Sequence, residues 1–237
     1  MSGCHRRDFL KHAAAGSLAS TFVISGTKAS GRVLGANDRV RVAVAGINGV
    51  PWDAGELPSQ LLENWCWEPE ALLEISGHYQ SGAALPTDLL ERLRGARNFQ
   101  SALQMLRQVE FAVFDMALHG PGSVPTARAF QQQLDEVRQR IAVIQPPAWN
   151  RFQNSFSHIF AGGYAAGYYS YKWAEVLSAD AFSRFEEAGI FDPHSGRDFL
   201  HLVLESGGVD DPLDNFTAFL GRAPSVDALL RHAGLGS

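Results

Sequence analysis

The run from Phe156 to Trp173, FSHIFAGGYAAGYYSYKW, carries four of the chain's five tyrosines, one histidine and three glycines. Tyr164, Tyr168 and Tyr171 stand at i, i+4 and i+7, so a helix through them would set three phenols on one face. A packed core would use Leu, Ile or Phe at such positions, because each buried phenol needs a hydrogen-bond partner. A row of hydroxyls with His158 suits a surface that grips a polar chain or meets an anionic intermediate. Gly162, Gly163 and Gly167 would let the backbone bend and come close to what is gripped. The alternative is an aromatic helix whose hydroxyls simply reach solvent. Tyr169 is expected on the packing side.

The other groups capable of chemistry are sparser. The eight histidines are His5, His12, His78, His119, His158, His194, His201 and His232, and no two are four apart. A helical pair of imidazole ligands is therefore absent. His78 and His119 read as ordinary surface or core histidines, and Asp115 with His119 as an i, i+4 hydrogen-bonded pair. Cys4 and Cys66 are the two cysteines. Cys66 is expected in a buried aromatic helix, so neither a disulfide framework nor a cysteine zinc site is supported. Glu63, Glu68, Glu70 and Glu74 read as a solvated acidic face. Glu56 stands just ahead of a helix, where a carboxylate favours the positive end of the dipole. Arg222 is expected to anchor the C-terminal turn through a carboxylate. A net charge of −5 with no basic stripe sets nucleic acid aside as a partner.

These residues require a helical scaffold, and past Pro51 the periodicity supplies one. Pro58 and Ser59 suit a first helical turn. Leu61, Leu62, Trp65, Leu72, Leu73 and Ile75 form an apolar stripe that Pro69 breaks in two. Pro86-Thr87-Asp88 opens a helix with Leu89, Leu90 and Leu93 at helical spacing. A long helix is predicted from Phe99 to Leu118 with Leu103, Leu106, Val109, Phe111 and Phe114 inward, closed by Gly120-Pro121-Gly122. Another covers Thr126 to Val143, and Pro146-Pro147 marks a loop. A helix from Tyr164 to Ala188 follows, then shorter ones at 196–206, 212–220 and 225–232. The body, residues 50–237, is read as all-α.

The N-terminus reads differently. Arg6-Arg7-Asp8-Phe9-Leu10-Lys11, the apolar run Ala13 to Ile24 and the small residues Ala29-Ser30-Gly31 read as a twin-arginine-type export leader over residues 1–31, the alternative being a basic amphipathic N-terminal helix with no targeting role. The run is too short and too rich in Ala, Gly and Ser for a stable membrane span. Residues 32–49 hold the alternating valines of Val40-Arg41-Val42-Ala43-Val44 and the turn Gly46-Ile47-Asn48-Gly49, a lone β-strand like the first strand of a dinucleotide-binding fold.

Two resemblances follow. Residues 1–49 resemble the N-terminus of the exported glucose–fructose oxidoreductase family. No βαβ continuation follows Val50-Pro51-Trp52-Asp53, so an exported NAD(P)-dependent oxidoreductase is the weakest functional reading. From about Gly46 onward the chain resembles the oligopeptidase A and thimet oligopeptidase family of zinc metallopeptidases. The resemblance is carried by Gly46–Asp53, Glu56–Trp65, Phe114-Asp115, Leu118-His119, Phe156–Tyr171, Trp173–Val176, Ala181–Phe185 and Gly221–Pro224. It implies the C-terminal part of a mostly helical catalytic domain that hydrolyses short peptides. It also implies zinc as cofactor, with Glu56 as a metal ligand, and His158, Tyr164 and Tyr171 as substrate or transition-state contacts. Tyr168, Gly162 and Gly163 would be substrate-binding.

The family's His-Glu-x-x-His helix, which gives two ligands and the general base, has no counterpart in this sequence. A single carboxylate does not retain zinc against water. The expectation is a metalloendopeptidase by family that is inactive as this polypeptide alone, the alternative being a non-enzymatic peptide-binding remnant of a gene fusion. The leader implies a periplasmic location if used, and the family resemblance a cytoplasmic one otherwise.

Overall fold

The structure is a computed structural model that describes residues 21–22, 42–43, 51, 53–122 and 126–236. Thr21–Phe22 (β1) and Val42–Ala43 (β2) pair antiparallel, Thr21 opposite Ala43 and Phe22 opposite Val42. The strand read as solitary thus has a partner, as its backbone donors and acceptors require. A dinucleotide-binding first strand would instead lie among parallel neighbours. The rest of the predicted leader, most of the valine strand and the Gly-x-x-Gly turn lie outside the described residues.

From Pro51 onward the described residues form helices and connecting turns, an all-α body. In order these are α1 (Leu57–Glu63), α2 (Pro69–Ile75), α3 (Thr87–Ala96), α4 (Ser101–Leu118) and α5 (Ala127–Ile141). After two short 3₁₀ turns come α6 (Ser170–Ala188), α7 (Pro193–Phe199), α8 (Pro212–Leu220) and α9 (Asp227–His232). Pro69 occupies the first turn of α2, where a missing N–H costs nothing. The Thr126 hydroxyl accepts from Ala129 N at 3.2 Å to start α5. Asp192 and Asp211 cap α7 and α8 in the same way, each followed by proline. Among the described residues no helix is long and apolar enough to cross a membrane.

Two compact units divide the chain, one drawn from residues 1–51, 61–90 and 181–224, the other from 52–60, 91–180 and 225–237. In the first, Leu61, Ala71, Leu90, Phe182, Phe185, Phe199, Phe216 and Phe219 are buried. Trp65 sits edge-on to Phe182 and Phe185, both at 4.8 Å, and its indole N–H donates to Ile190 O at 2.9 Å. In the second, α4 and α5 pack together. Phe114, Leu118, Leu134 and Val137 close over Phe156 and Ile159 from the following loop. Val176 and Ala179 of α6 bury against Ala228 and Leu229 of α9.

Several expectations are corrected. The tyrosine helix begins at Ser170, not Tyr164, because Gly163 (φ +83°) and Ala166 (φ +55°) hold left-handed conformations that no α-helix accommodates. Leu73, Ile75, Leu89, Leu93 and Leu106 are exposed although they lie at helical spacing. Their helices have more apolar width than they bury, and only Ala71 in α2 and Leu90 in α3 reach the interior. Tyr169 is exposed rather than packed, because the turn ahead of α6 points it outward. Cys66 is exposed in the 3₁₀ turn Asn64–Trp67, where Asn64 is buried and Trp65, not the thiol, packs on Phe182 and Phe185.

Candidate functional site

The site is built on a loop that doubles back on itself. Ser157 O accepts from Phe160 N, Ala161 N and Gly162 N at 3.1, 2.8 and 3.0 Å, and His158 O accepts from Tyr164 N at 3.1 Å. At Gly162 an added Cβ would lie 2.9 Å from both His158 Cα and His158 O, so only glycine fits the reversal. The chain then passes through Gly163 and Ala166, and Gly167 N donates to Tyr164 O at 2.8 Å before α6 begins.

This turn brings together the side chains that a straight helix was expected to align. Tyr164 and Tyr171 stack with centroids 5.0 Å apart and planes at 23°. Tyr168 meets Tyr171 at 5.2 Å and stands edge-on to Phe156 at 4.9 Å. The exposed His158 ring lies 6.2, 6.1 and 6.4 Å from Tyr164, Tyr168 and Tyr171. Glu56 joins them: its Oε1 accepts from the Tyr164 hydroxyl and its Oε2 from the Ser59 hydroxyl, both at 3.1 Å. Gln60 Nε2 donates to Tyr171 O at 3.2 Å, tying α1 to the start of α6. The Tyr168 hydroxyl donates to Gln108 Oε1 at 3.1 Å. All the predicted side chains, Glu56, His158, Tyr164, Tyr168 and Tyr171, converge, and Gly162 and Gly163 shape the bend.

Electrostatics favours protonated phenols. Burial pushes the Tyr164 phenol well above the usual tyrosine range, and hydrogen bonding to Tyr171 and the neighbouring Glu56 carboxylate raise it further. Burial also raises Tyr168, reinforced by Tyr171 and opposed by Arg107. Each is thus held as a hydrogen-bond donor throughout the neutral and mildly alkaline range.

Behind the tyrosines stand residues that the pattern did not single out for this role. Asp115 is fully buried and takes three donors: Ala166 N at 3.0 Å and His119 Nδ1 at 2.8 Å on Oδ1, and Tyr168 N at 2.9 Å on Oδ2. The predicted pairing with His119 is therefore present, but the two loop amides were not foreseen. Glu110 and Arg138 form a buried ion pair at 3.0 Å, and Arg107 reaches the same Glu110 oxygen at 2.9 Å. Arg138 Nη2 donates to Asn150 Oδ1 at 3.0 Å. The Arg107 guanidinium covers Phe111 at 4.3 Å, and Phe111 stacks on Phe152 at 4.5 Å. A signal existed: Glu110 lies four residues before Phe114 and Arg138 four after Leu134, so both charges fall on inward faces. At the C-terminus, Arg222 donates to Ala223 O at 3.1 Å.

Among the described residues a zinc ion finds no complete set of ligands. Among the described residues no three His, Cys, Asp or Glu side chains lie close enough to hold a metal together. Glu56 offers one carboxylate, with both oxygens already receiving hydroxyl hydrogen bonds.

Residues 38–235 match the profile of Peptidase family M3. The chain belongs to that family. It is 55% identical over 192 residues to Oligopeptidase A of Escherichia coli (strain K12) and 57% identical over 192 residues to Oligopeptidase A of Haemophilus influenzae. It is 50% identical over 199 residues to the probable cytosolic oligopeptidase A of Arabidopsis thaliana. Each alignment takes in 81% of this chain, which spans only 28% of the relative's length. The family match starts at Asp38 and so includes the valine strand that resembled an oxidoreductase. None of these relatives supports the oxidoreductase reading.

Proposed function

We propose that this chain supplies the substrate-gripping part of an oligopeptidase A-type metallopeptidase site. His158, Tyr164 and Tyr171 would contact the scissile peptide, Tyr168 and the Gly162-Gly163 bend would line its path, and Glu56 would be one ligand of a zinc ion completed from elsewhere. One observation carries the reading: the Tyr164 hydroxyl lies 3.1 Å from the Glu56 carboxylate. On this reading a phenol donor stands beside Glu56, the metal ligand that the resemblance implies, where negative charge would develop on a peptide carbonyl under attack. Protonated, partly buried phenols suit that task, because preorganised donors stabilise such charge most where water is scarce.

On this reading the polypeptide alone, with one carboxylate at the site among the described residues and no imidazole pair in its sequence, would hold no catalytic metal and activate no water, and would bind short peptides without cutting them. The similarity to a probable cytosolic oligopeptidase A favours a cytosolic setting, and a periplasmic one would follow from use of the leader.

Metal content after dialysis against micromolar zinc is expected to be the same for this chain and for Glu56→Ala, with no cleavage of a quenched-fluorescent peptide by either. Stoichiometric zinc that Glu56→Ala abolishes, or cleavage by the chain alone, would overturn the inactive reading. Peptide binding that Tyr164→Phe leaves unchanged would overturn the assignment of the grip.

A further inference from the structure

We infer that Asp115 is a positioning residue for this site: its buried carboxylate holds the Ala166–Tyr168 turn, and through it aims the Tyr164 and Tyr168 phenols at a bound peptide. The inference rests on the gripping role proposed above and deepens it.

The turn is far from self-sufficient. Ala166 takes φ +55°, a region that crowds Cβ and that residues other than glycine, Asn and Asp rarely adopt. Such a conformation persists only where its surroundings over-determine it. Within the turn, Gly167 N finds Tyr164 O, but the N–H groups of Ala166 and Tyr168 turn toward α4, where Asp115 receives them at 3.0 and 2.9 Å. Both carboxylate oxygens are thereby used, across 51 and 53 residues of sequence. A fully buried carboxylate is costly unless its lone pairs are met, and charge-assisted bonds from backbone amides are among the strongest ways to meet them. His119 Nδ1, one helical turn on and just past the end of α4, donates the third bond at 2.8 Å and fixes the carboxylate's orientation.

The geometry carries the hold directly to the phenols. Tyr168 is itself held by its amide, and its ring stands between Phe156 and Tyr171. Tyr164 is linked through Gly167, the residue between the two amides that Asp115 binds. Loosening Ala166 therefore frees both rings, and with them the stacking of Tyr164 on Tyr171.

The test uses the full chain and three readouts. In the unchanged protein, the Ala166 and Tyr168 amides should exchange with deuterium as slowly as helical amides although they lie in an irregular turn; exchange at unstructured rates would overturn the hold outright. Asp115→Asn keeps the shape but turns one acceptor into a donor facing an amide. It is expected to speed exchange at Ala166 and Tyr168 about tenfold more than at Phe114 or Leu134, and to remove the Tyr164–Tyr171 ring cross-peak in NMR. The dissociation constant of an N-acetylated pentapeptide amide should rise about tenfold. A variant that melts lower yet keeps the cross-peak and the peptide affinity would show a merely structural carboxylate and overturn the proposal. Should Asp115→Asn not fold, exchange in the unchanged chain still decides. Absence of peptide binding by the unchanged chain would sink the gripping function, while the amide and ring readouts would still uphold or overturn the hold on the turn.

Discussion

Replacing Glu110 by glutamine removes one negative charge from the buried cluster behind the tyrosines and leaves the volume almost unchanged. Glu110 and Arg138 are both nearly inaccessible, with side chains 2% and 4% exposed, so solvent screens their attraction little. Leaving a buried charge without its counter-ion costs about 3–5 kcal/mol. Arg138 keeps its bond to Asn150 Oδ1 at 3.0 Å and lies 6.0 Å from the Phe152 ring, which offsets roughly 1 kcal/mol. The expected loss is therefore about 2–4 kcal/mol for Glu110→Gln. Arg107, on the same carboxylate oxygen, is the internal control. Its side chain is 38% exposed, so Arg107→Met should cost at most about 1 kcal/mol. Urea unfolding followed by circular dichroism measures both losses. Amide exchange at Phe114 and Leu134 assigns them to the unit that contains α4 and α5. A loss below about 1 kcal/mol for Glu110→Gln, or one no larger than that of Arg107→Met, would refute the claim that this pair is a buried clamp and not a surface bridge.

Gly162→Ala sets a methyl group against backbone atoms of His158 at 2.9 Å, and backbone yields less readily than a flexible side chain. A loss of about 1–3 kcal/mol in a thermal melt is expected, with shifted ring resonances for His158 and Tyr164; an unperturbed spectrum would show that the reversal tolerates a side chain. In the other unit, hydrogen bonds from Ser195 hold the Asp192 carboxyl below its usual range at the start of α7. A folded pKa below the unfolded one gives stability that is complete above the unfolded value and fades as pH falls through the folded value. The melting-temperature difference between the parent and Asp192→Ala should thus be full at neutral pH and shrink below about pH 4. A difference that is constant down to pH 2 would remove the charge from the explanation.

Helix positions were legible because proline, cap residues and apolar spacing act locally. Pro69 splits α1 from α2, Thr126 starts α5, and Asp211-Pro212 opens α8 at the residue expected. Which apolar residues are inward was less legible. Spacing alone does not say how wide a stripe finds a partner, and Ile75 and Leu93 lie on stripes wider than the surface that covers them. The charges on inward faces, Glu110 and Arg138, were visible in the spacing but carry meaning only as a pair, 28 residues apart in sequence.

The tyrosine segment shows how an expected convergence of side chains can rest on a wrong local geometry. Helical spacing of Tyr164, Tyr168 and Tyr171 predicted their convergence, yet the first two precede the helix, in a turn with two left-handed residues. A helix would line the phenols along one face, each some 5–6 Å from the next. The turn instead stacks Tyr164 on Tyr171, brings Tyr164 to Glu56 and lays the backbone open beside His158. That arrangement is not the local minimum of its own sequence, since Ala166 is strained and two turn amides need an outside acceptor. Its cause lies in α4, about fifty residues earlier, where a fully buried carboxylate has both oxygens turned to the loop. Periodicity along one segment cannot see that carboxylate. The signal that could have found it is chemical: an aspartate on the buried face of a helix must be answered by donors from elsewhere, and a glycine-rich turn with unpaired amides is where such donors are found.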